Sequence, residues 1–470
     1  MLYWGKKRGD AMRTEPNSRF SSFRGLLRAG AEDYPDRIAL RSADGSGALT
    51  YAELLAAIGS RAEALRESGK TCLGVLCDGS VPCVLEIFAA VLAGLQVVLL
   101  DQNIPEAELP DRIRHTDIDA LWGAGDLEED PSPFLTDGVR DGAGRLLFFT
   151  SGTTASSKAV VLTEESLCAS AWNGSALLPL SPEDTLLCLL PLNHVFGFVC
   201  GLLWGLSCGA CVALGRGPRY YGEDLRCGRP TAVSLVPLLL GFLLQRSALN
   251  PELRLVLIGA GDCPPALPAA LKARGLRVSF GYGLTETSSG VALSLGEDPY
   301  AMTVCPDYRL RIAEDGEILI ENESCMMRGY YKDPASTEAV LKNGLLYTGD
   351  LGRLDEKGLL HVTGRKKEIL VFPDGTKLYL PEYEAALTEA LPGRELAVID
   401  WEGGPALVLR GTEAEREIVA AALEPVMREL PLNRRLKRLF LDPSPLPRTA
   451  TGKLQRWMIK QRMVSTYDKN

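Results

Sequence analysis

Short apolar runs alternate with helical patterns in the first part of the chain, and this alternation limits the folds that the sequence can adopt. Val81–Leu92 has a helical pattern and lies between two of these runs. The runs that predict strands are Cys72–Cys77, Val97–Leu100 and Ala120–Trp122. Strands that alternate with helices form a mainly parallel sheet with helices on both faces. The sequence therefore predicts an α/β fold with a large N-terminal region of doubly wound, mainly parallel sheets.

The length and composition indicate a globular protein of two or three domains, because 470 residues exceed one ordinary hydrophobic core. Apolar residues make up 46% of the chain and charged residues 24%, which is typical of soluble proteins. The net charge of -9 argues against a nucleic-acid partner. The twelve cysteines are scattered, and the start MLYWGKKRGD is too polar for a signal peptide. These features predict reduced thiols and a cytoplasmic location.

One uncharged segment, Val195–Leu214, is long enough to cross a bilayer. Glycine recurs at every fourth position from Gly197 to Gly209, which would suit close helix packing in a membrane. The segment is single, however, and its nearby basic flank is Arg216 alone. We therefore predict a buried helix followed by a buried strand, and no transmembrane segment.

The segment Leu146–Leu162 carries a loop rich in hydroxyl groups between two apolar runs, Leu147–Phe149 and Ala159–Leu162. Such runs predict buried strands. The loop residues that can turn an amide, a hydroxyl or an ammonium group toward an anion are Thr150, Ser151, Gly152, Thr153, Thr154 and Lys158. The spacing does not fit the Walker pattern, because no glycine directly precedes Lys158. From these residues alone, a phosphate-binding loop and an ordinary polar hairpin both stay open.

The pattern T-S-G-T-T-x-x-x-K resembles the phosphate loop of the adenylate-forming superfamily, and further matches follow in the order of that family. The superfamily includes acyl- and aryl-CoA synthetases, adenylation domains that load carrier proteins, and luciferases. The usual Gly, Pro and Gly of this loop are Ala155, Ser157 and Ala159 here. The loop is therefore stiffer at the two alanines and freer at the serine, which bears on its affinity for ATP.

Pro191-Leu192-Asn193-His194 and the glycine at 197 resemble the P-L-x-H-x-x-G segment of acyl- and aryl-CoA synthetases. The resemblance implies that His194 lies beside the carboxylate being activated; without it, a satisfied core histidine would be the better interpretation. No aspartate occurs within 193–199, where amino-acid-loading domains pair one with the α-amino group. The resemblance thus implies an acid without an α-ammonium group. Ala232–Leu244 is equally suited to the acyl pocket and to the plain core.

Two further segments resemble the nucleotide site of the family. Gly281–Thr287, GYGLTET, resembles its Y-G-x-T-E motif, and Gly259–Gly261 follows a predicted strand at the position of its adenine wall. The resemblance implies that Thr285 bonds the α-phosphate and that Glu286 holds Mg²⁺. It places Gly259, Ala260 and Gly261 in the adenine wall and stacks Tyr282 on the adenine. Gly283 is also implied to bind the nucleotide.

The resemblance continues toward the C-terminus. Asp350, in Thr-Gly-Asp, would accept hydrogen bonds from the ribose hydroxyls, and Arg365 would make a second ribose or phosphate contact. Lys367 occupies the hinge position, and Gly375 lies in a loop that resembles the one lining the thiol channel. We predict an N-terminal AMP-binding domain at residues 1–364 and a small, mobile α+β domain at residues 365–470. The closing segment PRTATGK implies that Lys453 is the catalytic lysine that stabilises transition-state charge.

The resemblance implies an acid–thiol ligase. The expected reaction forms an acyl-adenylate from a carboxylic acid and Mg·ATP, with His194, Thr285, Glu286 and Lys453 as catalytic residues. A thiol from coenzyme A, or from a phosphopantetheine carrier protein in trans, then attacks the adenylate, takes the acyl group and releases AMP. The G-R-K-K-E-x-L and PRTATGK context is most similar to fatty-acyl-CoA synthetases. Two alternatives stay open: a stand-alone acyl-AMP ligase for a separate acyl carrier protein, and a non-catalytic nucleotide-binding homologue.

Overall fold

The computed structural model describes most of the chain. The described residues are 19–123, 144–150, 158–246, 248–261, 263, 266–372, 376–448 and 454–467. Several residues named above lie outside these ranges, namely Ser151, Gly152, Thr153, Thr154, Ala155, Ser157, Gly375 and Lys453.

The strands of the described residues are numbered β1 to β25 in chain order. They are Ile38–Ser42, Leu49–Thr50, Cys72–Cys77, Gln96–Asp101, Ala120–Trp122, Arg145–Phe149, Ala159–Thr163, Thr185–Cys188, Cys211–Leu214, Ala232–Leu235, Leu255–Gly259, Arg277–Leu284, Ser289–Ser294, Met302–Val304, Arg309–Ile312, Glu317–Glu321, Gly329–Tyr330, Leu341–Lys342, Leu345–Leu354, Leu360–Arg365, Ile369–Val371, Lys377–Tyr379, Leu396–Trp401, Gly404–Arg410 and Arg438–Asp442.

The α-helices of the described residues are numbered α1 to α14. They are Phe23–Asp33, Tyr51–Glu67, Val81–Ala93, Leu109–Thr116, Glu164–Leu177, Val195–Phe198, Trp204–Ser207, Tyr221–Gly228, Pro237–Gln245, Ala266–Lys272, Pro334–Val340, Leu380–Ala390, Arg416–Glu429 and Arg456–Tyr467. A π-helical turn, Val199–Leu203, joins α6 to α7, and Thr285–Thr287 and Lys366–Glu368 are 3₁₀ turns.

The described residues form two compact units. The first unit draws on residues 1–149, 159–309 and 322–339, and the second on residues 150–158, 310–321 and 340–470. Residues 365–470 thus share the second unit with earlier segments of the chain. The functional domain boundary between residues 364 and 365 stays a prediction.

The first unit contains two sheets, and helices lie between most of the strands that form their parallel parts. One sheet has the order β17-β7-β6-β4-β3-β5, and its strands β3, β4, β5 and β6 are parallel. The other has the order β14-β13-β12-β11-β10-β8-β9-β1-β2 within this unit, and it is parallel from β12 to β1. The predicted α/β architecture is confirmed. Parallel strands need crossover connections, and the alternating pattern supplies helices such as α3 for that purpose.

The glycines of the uncharged segment let its helical turns approach the strands closely. A β-carbon on Gly197 would lie 2.3 Å from the carbonyl oxygen of Pro191, and one on Gly201 would lie 2.6 Å from Sγ of Cys188. One on Gly205 would lie 2.7 Å from Cγ2 of Val212. The predicted buried helix followed by a buried strand is therefore confirmed. Among the described residues, no helix has the length and apolar character that crossing a bilayer requires.

The second unit is a mixture of strands and helices. Within this unit β15, β16, β19 and β20 are neighbours in one sheet, β21 pairs with β22, and β23, β24 and β25 form a separate sheet. Helix α12 and helix α13 pack on one face of this last sheet through Leu387 and Leu423. Helix α14 packs with the residues of its other face through Ile459 and Met463.

Candidate active site

Three of the predicted motifs lie at one edge of the larger sheet of the first unit. Strands β12, β11, β10 and β8 are parallel neighbours, so that their carboxyl ends meet at the same edge. His194 follows β8, Gly259 ends β11, and Tyr282 lies near the end of β12. Ligands of doubly wound sheets bind at this edge. Sequence patterns far apart in the chain thus supply side chains to one place.

The histidine segment contacts the predicted adenine wall. A β-carbon on Gly259 would lie 2.9 Å from Cζ of Phe196, so glycine at this position lets the Phe196 ring rest against the backbone. Ala260 has a φ of 62°, in the left-handed region that alanine rarely adopts. A β-carbon on Gly261 would make only an ordinary contact, 3.6 Å from Cδ of Pro237. Of the two glycines in this wall, Gly259 is therefore the one that a larger residue could replace only if Phe196 moved.

His194 offers a buried nitrogen at the start of α6. Its Nε2 atom is buried and has no hydrogen-bond partner among the described residues. Burial lowers the pKa of His194 from its ordinary value of 6.5, and the charge of Asp101 opposes this effect. The imidazole is therefore mainly neutral at neutral pH, and its Nε2 can bond to a ligand.

The turn after β12 is held tightly against β13. A β-carbon on Gly283 would lie 1.7 Å from the carbonyl oxygen of Ser289, so no other residue fits there without displacing β13. The hydroxyl oxygen of Thr287 accepts a hydrogen bond from the amide of Leu284 at 3.0 Å. Ser288 and Ser289 both have positive φ angles, 54° and 101°. These constraints fix the backbone on both sides of Thr285 and Glu286.

Glu286 is held by Tyr330, a residue that none of the sequence motifs described above contains. The hydroxyl group of Tyr330 donates a hydrogen bond of 2.8 Å to Oε1 of Glu286. The amide of Met327 also donates to the carbonyl oxygen of Glu286, at 2.9 Å. Burial and the charge of Glu286 raise the pKa of Tyr330. The signal for this role was the Gly-Tyr-Tyr block at residues 329–331.

Tyr330 also connects Glu286 with the strand that follows the hydroxyl-rich loop. In the ladder of β17 and β7, Tyr330 pairs with Val160. The loop begins after β6 and ends before β7. Both apolar runs are largely buried strands, as predicted, and the structure pairs them antiparallel. At its ends the amide of Thr150 donates to the carbonyl oxygen of Lys158 at 2.9 Å. The amide of Lys158 donates to Oγ1 of Thr150 at 3.2 Å.

The second unit brings the two predicted ribose contacts together. Asp350 and Arg365 are opposite each other in the ladder of β19 and β20. Nε of Arg365 lies 2.7 Å from Oδ1 of Asp350, whose side chain is only 3% exposed. The guanidinium group compensates the buried carboxylate and orients it. Asp350 is therefore an acceptor that Arg365 preorients.

The turn that contains Lys367 follows directly. Lys367 is exposed, whereas the neighbouring Lys366 forms ion pairs of 2.5 Å with Asp315 and 2.6 Å with Glu317. A β-carbon on Gly364 would lie 2.1 Å from the ring of Tyr379, so the strand leading into this turn has no room for a side chain there.

The carboxylate of Glu286 is the group in the first unit that could help to hold a magnesium ion. Among the described residues, no group of three or more His, Cys, Asp or Glu side chains is suited to hold a metal ion. Magnesium commonly takes one or two carboxylates, with phosphate oxygens and water as its other ligands. The single carboxylate of Glu286, fixed by Tyr330, fits this requirement.

A family model and several characterised proteins match the chain. A profile of the family described as AMP-binding enzyme matches residues 27–141 and 140–331. A 2-succinylbenzoate–CoA ligase of Listeria monocytogenes is 29% identical over 336 residues, which cover 67% of the chain and 69% of that protein. An indoleacetate–CoA ligase of Aromatoleum aromaticum is 32% identical over 347 residues, covering 67% of the chain and 66% of that protein.

Solved structures resemble the chain over nearly its whole length. O-succinylbenzoate coenzyme A synthetase from Bacillus subtilis, solved in complex with AMP, superposes with a TM-score of 0.77 at 25% identity. The match covers 95% of the chain and 98% of that structure. The same protein has also been solved in complex with ATP and a magnesium ion.

Proposed function

The chain belongs to the AMP-binding enzyme family, and from this membership we propose that it is an ATP-dependent acid–CoA ligase. The proposal rests above all on the meeting of His194, Gly259 and Tyr282 at one sheet edge. The two relatives described above are CoA ligases by name, which supports coenzyme A as the thiol. We also propose a cytoplasmic location, because all twelve cysteines are free thiols.

In the first half-reaction, the carboxylate of the acid attacks the α-phosphate of ATP and releases pyrophosphate. The neutral His194 would bond the carboxylate or its adenylate through Nε2, and Thr285 would bond the α-phosphate. Lys453 would stabilise the charge that develops between the reacting groups. Bound magnesium would neutralise phosphate charge, and Glu286 would hold it, with its carboxylate oriented by Tyr330. Catalysis is therefore mostly positioning and charge stabilisation.

The remaining predicted residues would hold the nucleotide and prepare thiol transfer. The carboxylate of Asp350, oriented by Arg365, would accept hydrogen bonds from the ribose hydroxyls. Lys158 and the hydroxyl-rich loop would hold the outgoing phosphates. After adenylation, residues 365–470 would rotate about Lys367, withdraw Lys453 and present the face of Gly375 to the thiol.

The proposal also covers the class of carboxylic acid that the enzyme activates. The two ligases described above are named for succinylbenzoate and indoleacetate, so we favour an aromatic acid over the fatty acid that the sequence context suggests. The absence of aspartate within 193–199 argues against an amino acid. Neither relative is named for loading a carrier protein, although that acceptor stays an alternative to coenzyme A.

Exchange between pyrophosphate and ATP tests the proposal with a panel of acids. The panel contains 2-succinylbenzoate, indoleacetate and decanoate as examples of aromatic and fatty acids. We expect exchange that depends on the acid, followed by thioester formation with coenzyme A. Tight ATP binding without exchange for any acid would instead support a non-catalytic nucleotide-binding protein. Thioester formation only with a phosphopantetheine carrier protein would support the acyl-AMP ligase.

The variant Lys453→Ala tests whether Lys453 serves adenylation alone and not thioester formation. We expect this variant to lose adenylation but to retain thioester formation from a supplied acyl-adenylate. Equal loss of both half-reactions would contradict the role of Lys453.

A further inference from the structure

The described residues on the two sides of the segment that carries Lys453 are held together in the second unit. Arg448 and Leu454, on its two sides, form an antiparallel bridge. The amide of Gln455 donates to the carbonyl oxygen of Pro447 at 2.9 Å. Helix α14 begins at the next residue, Arg456. The base of this segment is therefore defined by backbone bonds and by the start of one helix.

Arg456 ties the start of α14 to two carboxylates from distant parts of the chain. Its Nη2 atom lies 2.6 Å from Oε2 of Glu384 in α12. Its Nη1 atom lies 2.7 Å from Oε1 of Glu368, in the turn that contains Lys367. Its Nε atom donates to the carbonyl oxygen of Val398 in β23 at 3.3 Å. One guanidinium group thus joins four elements, and lysine does not have the fork geometry needed for this.

The ion pairs of Arg456 with Glu384 and Glu368 are largely shielded from water. The side chains of Arg456, Glu384 and Glu368 are 18%, 13% and 21% exposed. Burial raises the pKa of Glu384, and the charge of Arg456 opposes this effect. Oε1 of Glu384 also accepts a hydrogen bond of 2.6 Å from the amide of Val398. Charge-assisted bonds in such a setting hold a fixed geometry more strictly than exposed ion pairs do.

We propose that Arg456 is a positioning residue for Lys453. Because Arg456 links α14 to Glu368, the residues next to the segment that carries Lys453 move together with the Lys366–Glu368 turn. The bond to Glu384 anchors this link to α12. The inference rests on the proposed function, because it takes Lys453 as the adenylation residue and Lys367 as the hinge. It adds a residue that contacts neither nucleotide nor acid in that mechanism.

Separate half-reactions test the proposal with Arg456→Met, using the acid of the panel that gives the fastest exchange. We expect kcat for adenylation to fall roughly 100-fold, the loss typical when a catalytic group is misplaced by a distant change. The KM for ATP and thioester formation from supplied acyl-adenylate should stay near wild-type values. Arg456→Lys should recover only part of the adenylation rate. Glu368→Gln should weaken the same half-reaction, and adding it to Arg456→Met should cause little further loss.

A matched control lies on the same helix. Arg462 forms an ion pair of 2.9 Å with Asp442 and is 29% exposed, but it contacts neither Glu368 nor Glu384 among the partners that the structure gives it. Arg462→Met should therefore leave the ratio of the two half-reactions unchanged. A wild-type ratio in Arg456→Met, or equal loss of both half-reactions, would overturn the proposal.

A second variant separates positioning from folding. Arg456→Met leaves the buried Glu384 without its cation, so the protein should unfold at a lower temperature. In the double variant Arg456→Met, Glu384→Gln that uncompensated charge is gone, and we expect the unfolding temperature to recover while adenylation stays low. Recovery of adenylation together with stability would show a merely structural role. Lys453→Ala serves as the reference: if it retains adenylation, the proposed role of Lys453 fails, and the positioning role of Arg456 fails with it. Absence of exchange with every acid in the wild type would instead be a failure of the proposed function.

Discussion

The hydroxyl group of Tyr330 lies 2.8 Å from Oε1 of Glu286, although the two residues are 44 positions apart in the chain. Tyr330 is also part of β17, which pairs with β7. The strand that follows the hydroxyl-rich loop and the turn that presents Glu286 are therefore joined by one side chain. Glu286 is the residue proposed to hold magnesium beside ATP. The bond from Tyr330 fixes one oxygen of its carboxylate and thereby orients the group.

Removing this bond should weaken the use of Mg·ATP. In Tyr330→Phe the Glu286 carboxylate loses a donor, and hydrogen bonds to charged groups contribute about 1.5–3 kcal/mol. We expect kcat/KM for ATP in the exchange assay to fall roughly 10- to 100-fold and to recover partly at high magnesium concentration. Tyr331→Phe is the control, because Tyr331 bonds instead to Asp117, at 2.6 Å. Equal effects of the two variants would contradict this role of Tyr330.

Asp350 and Arg365 should behave as one functional pair. Asp350→Asn removes the charge that Arg365 contacts at 2.7 Å, and Arg365→Met leaves the buried carboxylate without its cation. Each change should raise the KM for ATP by about tenfold, or about 1.4 kcal/mol. The double variant should be much less impaired than the product of the two effects, because the residues share one interaction. If the KM of the double variant instead equals the product of the two single effects, Asp350 and Arg365 act independently.

His194 should make the stability of the protein depend on pH. Burial lowers its pKa in the folded protein from the ordinary value of 6.5. As the pH falls, the imidazole of the unfolded chain therefore becomes protonated before that of the folded protein. The stability contribution of the neutral imidazole is therefore complete above pH 6.5 and is lost as the pH falls toward the folded-state pKa. Between about pH 7.5 and about pH 5.5, the wild type should lose more free energy of unfolding than His194→Gln. Denaturant titrations at both pH values measure this difference, and parallel losses would contradict it.

Gly283 should tolerate no side chain, in contrast to its neighbour across the ladder. A β-carbon at 283 would lie 1.7 Å from the carbonyl oxygen of Ser289, whereas one at Gly290 would meet nothing within 4 Å. Gly283→Ala should lower the free energy of unfolding by about 1–3 kcal/mol or more and impair exchange, because β13 must shift. Gly290→Ala should stay within about 0.5 kcal/mol of the wild type. Thermal and denaturant unfolding of both variants measure the difference.

Much of the architecture could be predicted because it depends on local patterns. The apolar run Cys72–Cys77 is one strand of the parallel sheet, and Val81–Leu92 lies in a helix that starts at the Ser80 cap. The uncharged segment was ambiguous between a membrane span and a buried element. Its glycines at every fourth position suit close packing in either setting, so only their contacts with residues such as Cys188 and Val212 distinguish the two.

The sequence by itself determined the strand and helix alternation, the family, and which residue types are available at the site. These properties depend on spacing and chemistry along a short stretch of chain. The tertiary structure decided which partner each of these residues has: Tyr330 for Glu286, Phe196 for Gly259, and Glu368 and Glu384 for Arg456. Arg456 and Glu368 are 88 positions apart. Such contacts arise from the packing of whole elements, and no local periodicity encodes them.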